Sequence, residues 1–551
     1  MKKARKSLSV LLCMTMIMAC LSLGFTAFAE TLNYDVWVNG EQFDETKLSI
    51  SCGDGTAEYD PENQVLTLTN AYINKGYEYQ PWYKAAIYSK LDNLTIVLNG
   101  FNEIMLEGDT ETDGIDAAPG CNISIEGGDM SSMFYIGDVD GSDVITPIDS
   151  SEEENADFGF LSIYGGYYGT YIGSFEAEGG NLSFKDCMVW VSGTEAAGIW
   201  VNHDITLDTA FVYVYRQDKS SYNGIVSNVD GTISLNNNSA LVSVNKTSAI
   251  LLGNTDSSSH NITVDGGSAI QVMSETGYGI EVVPYNESNE IKGNLQILDG
   301  VIVAQTVGDK PCTNLSKDQI TIAEDKELYT YLGGLTTSDD TIVKTVKPYK
   351  GFPDVNENAW YYEAAKFNAQ FGYISGYQNG KFGPGDNIKR QDFAIVLANF
   401  NGVDLSEYVS DEPTKFSDVA PNAYYAPAVR WASENGYVSG YANGKFGVGD
   451  NITREQICTI FFRYFTDGEL EEGFDADAIL APFTTDGKKV SSWAKDGVAW
   501  CIDNGVISGK NSTTIAPTAN ASRAEAAQIF MNVDKMNILT ALLDPEIFEQ
   551  E

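Results

Sequence analysis

Residues 205–214 read Ile205-Thr206-Leu207-Asp208-Thr209-Ala210-Phe211-Val212-Tyr213-Val214. Two short alternating runs flank a polar corner. The unit returns as Ile233-Ser-Leu235 with Ala240-Leu-Val242-Ser-Val244, and as Ile262-Thr-Val264 with Ala269-Ile-Gln-Val272. Alternation gives each run one apolar face, the mark of a half-buried strand. Working outward, Leu66-Thr-Leu68, Leu94-Thr-Ile96, Ile123-Ser-Ile125, Leu161-Ser-Ile163, Leu182-Ser-Phe184 and Leu295-Gln-Ile297 repeat the first run. Successive starts lie 21 to 38 residues apart. A further strand carries a small residue before an apolar one: Ala86-Ile87, Gly114-Ile115, Gly198-Ile199, Gly224-Ile225, Ala249-Ile250 and Gly279-Ile280.

Three strands per coil at this period predict a stacked architecture. No coil buries its apolar face alone, so neighbours must share one elongated core. The expected fold of residues 30–335 is a parallel, right-handed β-helix, with residues 30–70 as an N-terminal β cap. A β-sandwich is the alternative; it would show uniform hairpin spacing without coil-to-coil similarity. The pattern resembles β-helical surface modules of anaerobic Gram-positive bacteria, some of which bind polysaccharides.

A different repeat starts at Phe352. Phe352-Pro-Asp354-Val355 returns as Phe416-Ser-Asp418-Val419. Gly372-Tyr-Ile-Ser-Gly376-Tyr377-Gln-Asn-Gly380-Lys-Phe382 returns as Gly436-Tyr-Val-Ser-Gly440-Tyr441-Ala-Asn-Gly444-Lys-Phe446, and Ile388-Lys-Arg390 as Ile452-Thr-Arg454. All are offset by 64 without a gap. A third copy keeps Trp493-Ala494, Gly505-Val-Ile-Ser-Gly509 and Ser522-Arg523-Ala-Glu525, offset by 69 from the second. Copies are expected at 352–410, 411–470 and 471–535, after a linker at 336–351 and before a tail at 536–551.

These copies resemble S-layer homology domains, whose pattern runs from an F-x-D-V start through a G-h-h-x-G loop to an I-T-R-A-E helix start. Ser522 and Glu525 form a capping box, as do Thr453 and Gln456. The Arg between them then sits in the first helical turn, beside backbone N–H groups expected to be free for an anion. The resemblance implies an α-helical triple assembly with a pseudo-threefold arrangement. Its grooves would bind an anionic, often pyruvylated, secondary cell-wall polysaccharide. By position it assigns Arg390, Arg454 and Arg523 to the acidic sugar substituent. It carries over Trp360, Tyr424 and Trp493 as start-of-helix aromatics, and Asp354 and Asp418 from the start motif. Gly376, Gly440 and Gly509 would line the grooves and let backbone approach the sugar. Copy one lacks the Thr cap and the Glu, so Arg390 is the weaker match. Copy three has Phe483 and Asp486 loosely in place of the start motif.

Lys2, Lys3, Arg5 and Lys6, an apolar run from Leu8 to Leu23, and Ala27-Phe28-Ala29 predict a signal peptide over residues 1–29. The apolar run is shorter than the ~20 residues of a spanning helix, so no membrane association is expected after cleavage. The formal charge of −43 becomes −47 on losing these four cations (−43 − 4). Such a surface repels nucleic acid. Six cysteines lie outside the signal and form no C-x-x-C pair, and the two histidines, His203 and His260, argue against a His-ligated zinc site or a histidine-based catalytic triad. The oxygen-rich run Asp138-Val-Asp140-Gly-Ser-Asp143 is the metal candidate, for calcium, although it misses EF-hand spacing; no other cofactor is expected. Trp190, Trp200, Tyr213, Tyr215, Tyr167, Tyr168 and Tyr171 either stack on sugars or form ladders supporting the coil. The few bases of the middle coils (Lys185, Arg216, Lys219, Lys246) speak against a lyase. The favoured function is a secreted, non-catalytic wall-anchored protein that displays its β-helix for adhesion or glycan binding. A wall-anchored polysaccharide lyase or hydrolase and a structural S-layer component are the alternatives.

Overall fold

The computed structural model describes residues 32–543, apart from 82, 107–111, 128–158, 166–169, 173–179, 193–196, 216–223, 228–230, 254–259, 275, 284–290, 307–309, 333–334, 337–340 and 472. The signal segment 1–29, the calcium candidates Asp138, Asp140 and Asp143, and Tyr167, Tyr168, Arg216 and Lys219 lie outside the described residues.

The N-terminal half is a β-solenoid of three parallel sheets. In one sheet Ile123, Leu182, Ile205, Ile233, Ile262, Leu295 and Ile320 stand in register, one per coil. In the second, Leu161, Val189, Val212, Leu241, Ile270 and Ile302 do the same. In the third, the small-apolar pairs put Ile199, Ile225, Ile250 and Ile280 in line. These stacks converge on one core, where nearly every member is fully buried. Each fully buried Ile, Leu or Val contributes on the order of 1.5–3 kcal/mol, and only the neighbouring coil can cover it. Stacked corners join the first two sheets. Thr209, Asn237, Asn238, Gly266 and Gly267 all adopt positive φ there, and a Cβ on Gly266 would lie 2.7 Å from the Asn237 nitrogen below it.

One strand belongs elsewhere than the sequence pattern suggests. Leu161-Ser-Ile163 repeats the Ile205 motif, but Gly159–Gly165 pairs with Cys187–Ser192 on the Phe211 sheet. Ile123 pairs directly with Leu182, so one coil spans 59 residues rather than two shorter ones. Alternation marks a buried face without saying which sheet owns it.

Antiparallel strands cover a sheet edge at each end of the solenoid, where an open edge would invite aggregation. Ser49–Cys52, Gly55–Asp60 and Val65–Thr69 form a meander whose last strand switches to parallel pairing with Asn93–Leu106. At the other end Thr341–Val346 pairs antiparallel with Gly300–Thr306 and Glu327–Leu332. Part of the expected linker 336–351 is therefore strand, and it buries Ile342, Val343 and Val346. The same cap is the joint to the helical half. Tyr329 and Tyr331 meet Phe367 and Phe371 edge-on, and Gln370 donates to Glu327 at 2.8 Å.

The aromatics of the middle coils are packing elements. Trp200 and Tyr213 are buried. Tyr171 stacks on Trp200 at 4.6 Å, and Trp190 packs tilted against Tyr213 at 4.4 Å, each pair bridging adjacent coils. The ladder runs on through Trp37, Tyr88 and Asp116 to Tyr171. Asp116 is 2% exposed and accepts a hydrogen bond from the Tyr79 hydroxyl. Burial pushes its carboxyl up to about 7, against the hydrogen bond that lowers it. A raised carboxyl favours the folded state when protonated, and that contribution is lost as pH rises from the ordinary carboxylate range through 7. Asp116→Asn is therefore expected to raise the thermal midpoint at pH 8, with the gain shrinking toward pH 5, as read by circular dichroism.

Candidate functional site

Each C-terminal copy has a first helix, a Gly-rich loop and a second helix. The first helices are Tyr362–Phe371, Ala426–Glu434 and Lys495–Asp503. The second helices, Arg390–Phe400, Arg454–Thr466 and Arg523–Leu543, all begin at the arginine. The capping boxes form as expected. Thr453 accepts from the Gln456 nitrogen while Gln456 caps the Thr453 nitrogen, and Ser522 with Glu525 does likewise.

The helix starts are not free anion sites. The Arg390 backbone N–H donates to the Asp450 carbonyl, that of Arg454 to Ala519, and that of Arg523 to Asp386. Glu455 and Ala524 donate to Pro517 and Pro384. The loop of the next copy wraps each helix start and supplies the acceptors that a buried N-terminus needs. The guanidinium groups join the same seams. Arg390 Nε donates to the Phe446 carbonyl at 2.9 Å. Arg454 donates to the carbonyls of Ile515 (3.0 Å) and Ser508 (2.7 Å), and Arg523 to those of Phe382 (2.8 Å) and Ser375 (2.7 Å). The contacts run from copy one to two, two to three, and three back to one. All three arginines are 5–8% exposed. Burial pulls Arg390 and Arg454 below the ordinary arginine range, yet a guanidinium remains cationic. Arg390 lies over Tyr441 and Arg523 over Tyr377, 4.8 and 4.4 Å from the ring centres.

The aspartates and glycines serve the loops. Asp354 accepts from the Phe382 and Gly383 nitrogens, and Asp418 from those of Phe446, Gly447 and Val448. Partial burial pushes both carboxyls up, but the N–H groups outweigh it and hold them below the usual carboxylate range. Asp486 accepts from Ile515 and Ala516 in the same way, so copy three keeps this contact despite its altered start. A Cβ on Gly376, Gly440 or Gly509 would lie 2.5–2.6 Å from the ring of Phe352, Phe416 or Phe483. Phenylalanine packing against the Cα therefore requires these glycines before any sugar does.

The remaining expected residues come together across copies. One groove, of about 460 Å³, is lined by Arg390 of copy one, Gly440 and Tyr441 of copy two and Trp493 of copy three. A second, of about 640 Å³, joins Arg454, Gly509 and Trp360. At the third boundary Arg523 reaches Ser375, next to Gly376, and Tyr424 donates to Asp392 at 2.8 Å. Trp360, Tyr424 and Trp493 are 63%, 71% and 56% exposed, so the two grooves each present a buried cation beside an open aromatic face. Sequence comparison of copies missed Arg463 and Lys510, which line the first and second grooves. Helical periodicity carried a signal for the first, because Gln456, Thr459, Ile460 and Arg463 share one face of their helix.

The family model for the S-layer homology domain matches residues 351–394, 415–458 and 484–527. The C-terminal region carries three S-layer homology domains. A cellulosome-anchoring protein of Acetivibrio thermocellus is 26% identical over 28% of this chain and 34% of its own length. The exoglucanase XynX of Acetivibrio thermocellus is 30% identical over 34% of this chain and 17% of its own length. The surface-layer 125 kDa protein of Lysinibacillus sphaericus is 27% identical over 32% of this chain and 15% of its own length. The chain thus spans about a third or less of the length of these relatives. The S-layer homology domains and the surface-layer relatives mark a cell-surface, wall-associated protein. Among the described residues no helix is long and apolar enough to cross a membrane, and no group of three or more potential metal ligands occurs.

Gly440 has φ +71°, and a Cβ there would lie 2.8 Å from the Lys445 carbonyl oxygen as well as against the Phe416 ring. Gly440→Ala is expected to destabilise the helical half by about 1–3 kcal/mol, read by chemical denaturation.

Proposed function

We propose that the S-layer homology domains hold this protein non-covalently on an anionic secondary cell-wall polysaccharide, and that the β-solenoid is a displayed, non-catalytic module for adhesion or glycan binding. The observation that carries the reading is the pairing of a buried guanidinium with an exposed aromatic in both grooves, Arg390 with Trp493 and Arg454 with Trp360. A sugar ring stacks on an indole or phenol face, while the guanidinium attracts an acidic substituent. The closed run of Arg-to-loop contacts supports a pseudo-threefold arrangement with one groove per boundary, and a pyruvate ketal is the substituent that the family resemblance suggests. The relatives include an anchoring protein, a surface-layer protein and an exoglucanase, so they do not decide the solenoid's role. Support for a non-catalytic solenoid comes from its carboxylates Asp113 and Asp116, which are buried beside aromatic packing rather than set in an open cleft.

The arginines are poor probes of binding because they also close the seams. The exposed aromatics are better. Trp360→Ala combined with Trp493→Ala is expected to abolish co-sedimentation of the full chain with purified cell walls, with thermal unfolding unchanged. Undiminished sedimentation of the double variant would sink the anchoring reading.

A further inference from the structure

The residue three places into each second helix differs between copies: Asp392, Gln456 and Glu525. Each stands at a copy boundary near the arginine of the preceding copy. At the second groove Glu525 forms an ion pair with Lys510 and lies 4.0 Å from Arg454. Lys510 occupies the place of Tyr441, so Arg454 loses its aromatic neighbour and gains a cation that needs neutralising; burial and Arg454 together lower the lysine's pKa. At the third boundary Asp392 is engaged by Tyr424. The first groove is different. Its described lining holds Arg390 and Arg463, with Gln456 in the acidic place, and no carboxylate. Arg463 donates to Ser439 at 3.1 Å, which turns a second guanidinium toward the loop of its own copy. Asp418 lies near Arg390 as Asp486 lies near Arg454, so that carboxylate cancels in the comparison. Asp450 also lies near Arg390 but does not line the groove. In a chain with 77 acidic and 34 basic residues, a groove with two cations and no lining anion focuses positive potential locally.

We infer that the three grooves are unequal, and that the Arg390–Arg463–Gln456–Trp493 groove is the one that takes the anionic substituent of the polysaccharide, with Gln456 and Arg463 as its specificity determinants. The inference rests on the wall-anchoring reading and refines it. It reverses the ranking of the motifs, in which Arg390 is the weakest match. The Glu525 groove sets one carboxylate against Arg454 and Lys510, so it carries less net positive charge than the first groove and holds an acidic substituent less strongly.

The test measures binding of the full chain to purified cell walls. Gln456→Glu installs the carboxylate of copy three, and Glu525 shows that this residue keeps the capping box, so folding is preserved. It is expected to weaken binding about tenfold, the order of effect of one charge placed at close range, and to flatten the dependence on salt. Arg463→Gln is the second variant and is expected to weaken binding several-fold, about as a lost ion pair in a partly buried groove does. Glu525→Gln removes the carboxylate of the second groove and is expected to change binding far less than either. At matched ionic strength, release by soluble pyruvate marks a carboxylate substituent and release by soluble phosphate a phosphate. Release by neither overturns the anionic assignment. Wild-type binding that Gln456→Glu and Arg463→Gln leave intact, or that Glu525→Gln weakens equally, overturns the groove assignment alone. A wild-type chain that does not bind walls overturns the anchoring reading as well.

Discussion

The helical half depends on how three buried helix starts satisfy their backbone. An α-helix leaves its first N–H groups without intrahelical acceptors, and burying them unpaired costs on the order of 1–3 kcal/mol each. Here the loop of the next copy brings its carbonyls to those groups, and the arginine at the helix start donates to the same loop. One local need thus fixes the order of the copies. The third copy returns to the first through Arg523, so no copy stands complete alone. The two described grooves are a by-product of this closure, because the boundaries at Arg390 and Arg454 each leave a hollow between one copy's arginine and another copy's aromatic.

The solenoid meets the same difficulty by a different route. Its coils stack in register, and each isoleucine or leucine relies on the coil beside it. Stacking must stop, and antiparallel strands stop it at both ends. The C-terminal cap then does two things. It closes the core, and it offers Tyr329 and Tyr331 to the first helix of the helical half. A cap that is also a joint sets the solenoid directly against the S-layer homology domains instead of on a loose connector.

Divergence among the copies falls in two classes. Residues that build the loop are kept in substance even where the motif breaks, as Phe483 and Asp486 show. Residues that face the grooves vary in charge, as Asp392, Gln456 and Glu525 show. The first class answers to sterics and hydrogen bonding, which tolerate little change. The second leaves the cap intact with either an amide or a carboxylate, since both accept from the helix-start nitrogen.

Periodicity in the sequence was enough to indicate a stacked β fold and three tandem copies, and capping was enough to indicate the helix starts at Arg454 and Arg523, because alternation, turn residues and capping are local and repeat with the chain. The family resemblance pointed to three aromatics, of which Trp360 and Trp493 line the described grooves. Other features were decided by tertiary structure. Leu161 had to be placed by strand pairing, since alternation is the same on every sheet. The strand at Thr341–Val346 was hidden because the partner that ties it to the solenoid, Gly300–Thr306, lies well back in the chain. The helix-start N–H groups looked free because their acceptors belong to another copy. The roles of Asp354, Asp418 and the three glycines turned on atoms brought within contact by folding. Groove membership was the last of these, since each of the two described grooves draws on all three copies, and no comparison of copies side by side reveals which residues meet when the copies pack together.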